Sequence, residues 1–202
     1  MNVLQTELLT FLPAPILRFD QSLFHKINGE WTNSFLDFTL PFVREPFFWA
    51  PLYIFLGLFA LLNFKGKGIW WVLAFLILVM VSDFTSSSLI KEAFFRLRPC
   101  RDPEMAGQVR FIVKYCPVSS SFVSSHAVNH FAISTFIFAT FRKPLSNWWA
   151  LILLWAALVC YAQVYVGVHY PVDVLAGGLF GVFLGGLTAT IFNRLVKLHV
   201  ES

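Results

Sequence analysis

Five apolar stretches dominate this chain, and each is long enough to cross the hydrocarbon core of a membrane as a helix. They occupy residues 47–64, 69–90, 122–141, 147–166 and 171–192. Only 13% of the 202 residues are charged, about half the fraction found in soluble domains. The surplus of apolar side chains must face lipid. We therefore predict one all-α domain, a polytopic membrane helix bundle with five or six transmembrane helices.

The N-terminal residues 1–46 are too polar for an ordinary span and are interrupted by prolines. Apolar residues recur there at helical spacing, for example Phe19, Leu23 and Ile27. We expect interfacial amphipathic helices in this segment, followed by a transmembrane domain over residues 47–202. The alternative is a poor first span, which would make six. No basic leader with a cleavage site is recognisable, so a removed signal peptide is not expected.

The short loops on one side of the predicted bundle are basic. They contain Lys65 and Lys67, Arg142 and Lys143, and Arg194 and Lys197. The positive-inside rule makes this side, with the C-terminus, cytoplasmic. The opposite side holds the polar loop of residues 91–121 and is predicted to face the periplasm or another extracytoplasmic space. The net charge of +4 is explained by loop position, and no nucleic-acid partner is expected.

Two of the three cysteines, Cys100 and Cys116, lie in the polar loop, sixteen positions apart. An oxidising compartment would allow them to form a disulfide that holds the loop. Two unpaired thiols are the alternative. Cys160 falls within an apolar stretch and is expected to be a packing residue.

The first polar cluster consists of Lys91 and, seven residues later, Arg98 and Pro99. If the helix continues through Arg98, seven residues make about two turns, and the two cations share a face. Pro99 would then end the helix. Such a pair can grip one phosphoryl group. A snorkelling basic cluster or a contact with anionic lipid headgroups is equally consistent with this pattern.

The second cluster is Ser124, Ser125 and His126, at the start of the third span. A helix N-terminus offers free N–H groups to an anion, and the serine hydroxyls can cap the helix or bind phosphate oxygens. His126 could supply a proton to a leaving group. Asn129 and His130 follow on the same helical face, where we expect them only to form hydrogen bonds between helices.

The third cluster contains Gly167, His169 and Asp173 before the last span, with Pro171 in its first turn. Asp173 can reach one imidazole nitrogen of His169 and leave the other free as a nucleophile. Gly167 would leave room for a substrate. A structural cap is the alternative for the His–Asp pair. All three clusters fall on the same predicted side, which indicates one phosphate-handling site.

Two further features lie inside the spans. Asp83 needs a partner within the membrane, either on the Lys91 face or on another helix. Gly177, Gly181 and Gly185 form a small-residue stripe that is typical of helix packing.

These motifs resemble those of the type 2 phosphatidic acid phosphatase superfamily, in its membrane branch. The pattern is K-x6-R-P, then P-S-G-H, then S-R-x3-G-x-H-x3-D, and residues 91–173 carry the match. The first motif matches fully. In the second, Val123 and Ser125 replace proline and glycine, and in the third, Ala162 and Gln163 replace serine and arginine.

The resemblance implies roles for the matched residues. His169 would attack phosphorus and form a phosphohistidine, Asp173 would orient it, and His126 would protonate the leaving oxygen. The phosphate would be held by Lys91, Arg98, Ser124 and Gln163, together with the backbone N–H of Ser125. No cofactor and no metal are expected. Because Gln163 lacks the charge of the usual arginine, Arg96 or Arg101 could replace it.

We therefore expect an integral inner-membrane lipid phosphatase that works without metal, with its active site on the extracytoplasmic face. Candidate substrates are undecaprenyl diphosphate, phosphatidate, phosphatidylglycerol phosphate and lipid A-type glycolipids. One alternative is a phosphotransferase that passes the phosphoryl group to a second lipid. Another is a non-catalytic lipid-phosphate binder, which the change at Gln163 would favour. The expected partners are the substrate and the bilayer, and the sequence does not set an oligomeric state.

Overall fold

A computed structural model describes residues 12–142 and 147–198, and every regular element within them is helical. The main helices are α1 (Ala14–His25), α2 (Ser34–Val43), α3 (Ala50–Phe84), α4 (Ser125–Phe141), α5 (Leu151–Tyr165) and α6 (Pro171–Leu195). π-Helical turns cover Lys26–Glu30 and Thr85–Ile90, and one short α-helical turn covers Lys91–Ala93. Short 3-10 turns cover Pro46–Trp49, Pro99–Arg101, Pro103–Met105 and Asn147–Ala150. The predicted all-α class is confirmed for this part of the chain.

Helix α3 is a hairpin with two antiparallel arms. The chain reverses at Lys65, whose φ of 48° and ψ of −125° are not helical. Tyr53 and Phe75 consequently have ring centroids 6.3 Å apart, whereas a straight helix would separate them by about 33 Å. A Cβ on Gly68 would collide with the Ala60 carbonyl, so glycine allows the arms to meet. The arms correspond to the first two predicted spans.

In the part of the chain that the structure describes, three helical segments are long and apolar enough to cross a membrane: Pro46–Ala93, which includes the hairpin, Trp148–Tyr165 and Pro171–Leu195. Helix α4 has 17 residues, and most of them are buried among the other helices. The membrane helix bundle is thus supported, while the count of five or six crossings stays a prediction.

Helix α4 lies at the centre of the bundle, against α6. A Cβ on Gly177, Gly181 or Gly185 would collide with the α4 backbone, at Val128 and Ala132 for the last two. The packing role predicted for the glycine stripe is therefore confirmed. This close contact brings the N-termini of α4 and α6 together at one end of the bundle, where two of the motifs lie.

The opposite end of α4 is joined to the hairpin by an aromatic cluster. Trp71 stacks on Phe141 with ring centroids 4.8 Å apart, and its indole N–H donates to the Thr140 hydroxyl at 2.9 Å. These buried side chains supply much of the apolar area that holds α3 against α4.

The N-terminal helices pack on the motif end of the bundle. The side-chain amide of Asn28 donates to the carbonyls of Arg110 at 2.8 Å and Tyr165 at 2.7 Å. The Tyr165 hydroxyl donates to Asp37 at 2.6 Å. Both α1 and α2 are thereby joined to α5 and to the polar loop. An interfacial position of residues 1–46 in the membrane stays a prediction.

The polar loop carries a disulfide between Cys100 and Cys116, whose Cα atoms lie 6.1 Å apart. The Arg101 guanidinium donates to the Cys116 carbonyl at 3.0 Å, which is a second contact between the two segments that the disulfide joins. The third cysteine, Cys160, is buried in α5 as a free thiol.

We expect protein from its native membrane to contain this disulfide, because the predicted location of the loop is oxidising. Thiols would be alkylated under denaturing conditions without reductant, and the peptides analysed by mass spectrometry. Linked Cys100 and Cys116 peptides are the expected result, with alkylated Cys160 as the internal control. Alkylation of all three cysteines would contradict the prediction.

Candidate active site

The three motif segments meet at one end of the bundle. The Ser124 N–H, at the start of α4, donates to the Asp173 carbonyl in the first turn of α6 at 3.1 Å. Arg98, from the polar loop, contacts the His169 ring. Residues that are 49 and 71 positions apart thus share one site.

The imidazole of His169 is held in one tautomer. Arg98 Nη1 lies 3.0 Å from His169 Nε2, and a guanidinium can only donate, so Nε2 is the acceptor and carries a lone pair. The ring proton therefore belongs on Nδ1, which faces the Ser121 hydroxyl at 3.4 Å and Asp173 Oδ2 at 3.7 Å. Burial lowers the pKa of His169 to about 3, which favours the neutral ring. Nε2 is thus an unprotonated nitrogen placed beside a cation.

Asp173 both caps α6 and faces His169. Its Oδ2 accepts from the Ser121 hydroxyl at 2.5 Å and from the Tyr170 N–H at 2.9 Å. Its Oδ1 accepts from Arg96 Nη1 at 2.6 Å. The 3.7 Å separation from Nδ1 exceeds a hydrogen bond, and contacts of this kind often tighten when a substrate binds. The two alternatives, a capping residue and an orienting residue, are therefore compatible in one side chain.

Arg96 joins Asp173 to the N-terminal helix α1. Its Nη2 contacts Asp20 Oδ2 at 2.6 Å, and its guanidinium lies 4.1 Å from the centroid of the Tyr170 ring. Asp20 also accepts the Val172 N–H at 2.8 Å. Burial opposes the charge of Arg96, but Asp173 and Asp20 outweigh it and raise the pKa of Arg96. This buried ion triad locks the start of α6 in place.

The helix does not continue through Arg98, so the condition under which Lys91 and Arg98 would share a helical face is not met. The helical turn ends at Ala93, and Arg98 adopts an extended conformation with ψ of 152°. The segment after Ala93 instead lies beside residues 119–122, where the Ser121 N–H donates to the Arg96 carbonyl at 2.8 Å. Backbone groups after Ala93 form their hydrogen bonds with residues of that neighbouring segment, and these bonds replace those of a further helical turn. Lys91 and Arg98 therefore do not lie on one helix.

Backbone carbonyls orient the Arg98 guanidinium. Nε donates to Ser119 O at 2.9 Å, and Nη1 donates to Val168 O at 3.0 Å. Burial lowers the pKa of Arg98 to about 10, so it stays charged at neutral pH. None of these contacts involves a carboxylate, which leaves the positive charge available to an anion.

Lys91 and His126 border the same site. Lys91, at the end of the hairpin, is partly buried and interacts electrostatically with Arg98 and Asp173. His126, in the first turn of α4, interacts electrostatically with His169 and Lys91. Both therefore lie at the motif end of the bundle with the pair formed by Arg98 and His169.

The two serines before His126 differ in their environment. The Ser124 side chain accepts the Ala127 N–H at 3.5 Å as the N-cap of α4, which is one of the two roles predicted for it. The Ser125 hydroxyl is buried and has no hydrogen-bond partner among residues 12–142 and 147–198. Ser125 is thus the serine with a free hydroxyl for a ligand.

Gln163 is fully buried in α5, and its backbone carbonyl accepts a hydrogen bond from the backbone N–H of His169 at 3.3 Å. Neither polar atom of its side chain has a hydrogen-bond partner in the described ranges. The two arginines predicted to replace the missing charge are used elsewhere. Arg96 is bound by two carboxylates, and Arg101 donates to the Cys116 carbonyl on the exposed loop. That part of the prediction is wrong, because local ion pairs and turns claim both side chains.

Gly167 does not leave room for a substrate, contrary to the prediction. Its φ is +85°, and a Cβ there would lie 2.9 Å from Val109 Cγ1 and 3.2 Å from the Arg110 carbonyl. The polar loop fills the space beside this glycine, so Gly167 serves the turn that presents His169.

A cavity of about 400 Å³ lies between the hairpin and α4, next to the site. It is lined by Pro46, Tyr53, Phe75, Leu76, Val79, Asp83, Ser125, His126, Asn129, His130 and Ile133. Asn129 donates to Asp83 Oδ1 at 3.0 Å, so Asp83 bonds another helix, one of its two predicted alternatives. His130 Nδ1 contacts the His126 carbonyl at 2.9 Å within its own helix and not between helices, contrary to the prediction.

Sequence reasoning missed three residues at this end of the bundle: Asp20, Arg44 and Ser121. Asp20 and Arg44 belong to the N-terminal segment, which contains no motif, and nothing in their spacing identifies their partners. Ser121 ends a run of three serines, separated by one residue from the second motif, and that run was the available signal.

Comparison with known proteins gives consistent matches. A family model described as the PAP2 superfamily matches residues 68–197. A lipid A 4′-phosphatase of Porphyromonas gingivalis is 27% identical, over 88% of this chain and 74% of that protein. A lipid A 4′-phosphatase of Bacteroides thetaiotaomicron is 30% identical, over 81% of this chain and 72% of that protein.

The fold also matches a solved structure, the first transmembrane PAP2 type phosphatidylglycerolphosphate phosphatase from Bacillus subtilis. The TM-score is 0.69, with 21% identity, and the match covers 93% of this chain and 90% of that one. At this identity the likeness concerns the arrangement of helices.

Proposed function

This chain belongs to the PAP2 superfamily, and on that premise we propose that it releases phosphate from a phosphorylated lipid through a phosphohistidine on His169. The membership confirms the resemblance found in the motifs. One observation carries the proposal: the lone pair of His169 Nε2 points at the Arg98 guanidinium, 3.0 Å away. A phosphoryl group that displaces this hydrogen bond would meet the freed lone pair of Nε2 and the Arg98 cation together.

The reaction proceeds in two displacements. In the first, Nε2 of His169 forms a bond to phosphorus, the bond to the lipid oxygen breaks, and protonated His126 gives its proton to that oxygen. In the second, the oxygen of a water molecule bonds to phosphorus, the bond between phosphorus and Nε2 breaks, and the now neutral His126 accepts a proton from that water. Free phosphate leaves and His169 returns to the neutral state. Asp173 stabilises the positive charge that develops on the ring.

The fixed positive charges supply transition-state stabilisation. Phosphoryl transfer spreads negative charge over the equatorial oxygens, so oriented cations contribute most of the rate enhancement. Arg98 is aligned by carbonyls and Lys91 approaches from the hairpin, while the Ser125 hydroxyl has no other partner in the described ranges. Their combined arrangement supports binding of a phosphate rather than a neutral headgroup.

The lipid tail is proposed to occupy the cavity between α3 and α4. That cavity adjoins His126, which protonates the leaving oxygen, and its walls are mainly apolar. The two relatives described as lipid A 4′-phosphatases make a lipid A-type glycolipid phosphate the first substrate to test. Undecaprenyl diphosphate, phosphatidate and phosphatidylglycerol phosphate complete the set. The site is proposed to face the periplasm, with the C-terminus in the cytoplasm.

We expect the purified protein in detergent to release inorganic phosphate from at least one of these four lipids, with equal rates in the presence and absence of a chelator. The reason is that the proposed steps use only side chains. Dependence on added metal would contradict the mechanism. Labelled donor phosphate that appears on a second lipid would identify a phosphotransferase. Binding of the lipids without any release would identify a lipid-phosphate binder.

A further inference from the structure

Arg44, directly after α2, is a buried cation with little compensation. Its side chain is 10% exposed, and its Nε has no hydrogen-bond partner among the residues that the structure describes. The acid beside it is Glu45, 3.7 Å from Nη1, which is itself 54% exposed. An exposed carboxylate at that distance contributes little. Burying a guanidinium in this way is costly unless an anion binds to it.

Arg44 lies beside the phosphate site. Burial lowers the pKa of Arg98 to about 10, Asp173 opposes this change, and the positive charge of Arg44 adds to it. Arg44 also interacts electrostatically with His126. Pro46, two residues further on, lines the cavity that contains His126. Arg44 thus lies two residues from the wall of that cavity, within electrostatic range of Arg98 and His126.

The charges at this end of the bundle do not balance. Within residues 12–142 and 147–198, two carboxylates are fully buried, Asp20 and Asp173, and both bind Arg96. Three further cations surround the site: Arg44, Lys91 and Arg98. Without the exposed side chains of Glu45, Asp83 and Arg101, these four cations and two buried carboxylates have a net charge of +2. A phosphate monoester dianion, with a charge of about −2, would neutralise it.

We propose that Arg44 binds the phosphoryl group of the substrate and supplies the cation that Gln163 cannot. The proposal rests on the proposed function, because it assumes that a phosphate ester occupies the site. It makes the N-terminal segment a part of the active site, although that segment contains none of the family motifs.

The fold holds Arg44 in position from both sides. The Trp49 indole N–H donates to the Val43 carbonyl at 2.7 Å, and the Trp49 ring packs on Trp155 of α5 with centroids 5.3 Å apart. The Arg44 N–H itself donates to the Leu40 carbonyl at 3.2 Å and ends α2. These contacts fix the backbone at Arg44, so only its side chain has to be ordered when it binds phosphate.

The first test is the Arg44→Gln variant, assayed on whichever lipid the wild type hydrolyses best. We expect kcat/KM to fall about 10²- to 10³-fold, the effect of losing one charge-stabilising donor. Arg44→Lys should lower kcat/KM less than Arg44→Gln does, because lysine keeps the positive charge and loses only the bidentate geometry of the guanidinium. Glu45→Gln is the matched control and should retain wild-type activity. Full activity of Arg44→Gln would overturn the proposal.

The second test moves the charge. Gln163 is fully buried, its amide is unpaired within the described ranges, and its carbonyl binds the His169 N–H. Gln163→Arg in the Arg44→Gln background restores one cation to the site, and we expect kcat/KM to recover at least about tenfold. If Arg44 had only a structural role, an arginine at position 163 of α5 would not restore kcat/KM. Absence of any recovery therefore counts against the proposal.

Binding of inorganic orthovanadate, a phosphate analogue, separates this proposal from the proposed function. Calorimetry should show affinity at least about tenfold weaker for Arg44→Gln than for the wild type. If the wild type hydrolyses no lipid, the proposed function fails, but this comparison still decides the role of Arg44. Equal affinities would overturn it. Should Arg44→Gln not fold, Arg44→Lys decides, since unchanged kcat/KM and vanadate affinity would refute a bidentate contact.

Discussion

His169→Ala should abolish phosphate release, lowering kcat by at least about 10⁴-fold, while the variant still folds in detergent. In the proposed mechanism the lone pair on Nε2 is the nucleophile, and no other nitrogen base touches Arg98 in the described residues. Without it the phosphoryl group has no acceptor and water must attack directly. The measurement is release of inorganic phosphate from the best lipid substrate, beside size-exclusion profiles of both proteins.

Two controls make the His169 result specific. His25→Ala changes an exposed histidine at the end of α1 and should leave the rate unchanged. A reaction with phosphate-labelled substrate would be quenched in alkali during turnover. The label should then be bound covalently to the wild-type protein and not to His169→Ala. Equal phosphate release by the wild type and His169→Ala would refute the assigned nucleophile.

Arg96→Leu should destabilise the protein by about 3–5 kcal/mol, the usual effect of breaking a buried ion pair from one side. The change leaves Asp20 and Asp173 as two buried carboxylates without their shared cation. It also removes the contact that orients Asp173 at the start of α6. We expect a lower unfolding midpoint in detergent, together with slower phosphate release from the folded fraction.

Adding Asp20→Asn to Arg96→Leu should recover part of that stability, because one uncompensated carboxylate is gone. Arg101→Leu is the matched control: it removes an arginine from the exposed loop and should change the midpoint little. An Arg96→Leu variant as stable as the wild type would show that the triad is not a structural unit.

Local sequence patterns were sufficient to predict those features that depend on the solvent around a segment or on contacts within a few residues. Span length and hydropathy identify the helices of the bundle because lipid exposure acts on each segment separately. The spacing of His169 and Asp173 identified a pair that does face one another, since His169 directly precedes the N-cap of α6 and Asp173 lies in the first turn of that helix. The glycine stripe of α6 identified the packing face for the same reason.

Contacts with residues that are distant in the sequence explain where the predictions from local patterns failed. Arg98 was expected on a helix, but carbonyls of residues 119 and 168 claim its guanidinium and favour an extended chain. Arg96 was expected as a spare cation, but Asp20 and Asp173, 76 and 77 residues away, bind it. No periodicity in the sequence encodes such pairings, because each depends on which segments meet after the helices pack.

Hydropathy and the motif residues were therefore enough to identify an all-helical membrane protein of the PAP2 superfamily, because the solvent and the chemistry of each side chain act locally. Tertiary contacts alone decided which cation neutralises which carboxylate, where the helix after the hairpin ends, and that the N-terminal helices reach the site. Charges buried in a membrane protein must be compensated in space, and the partner that compensates them can lie anywhere along the chain.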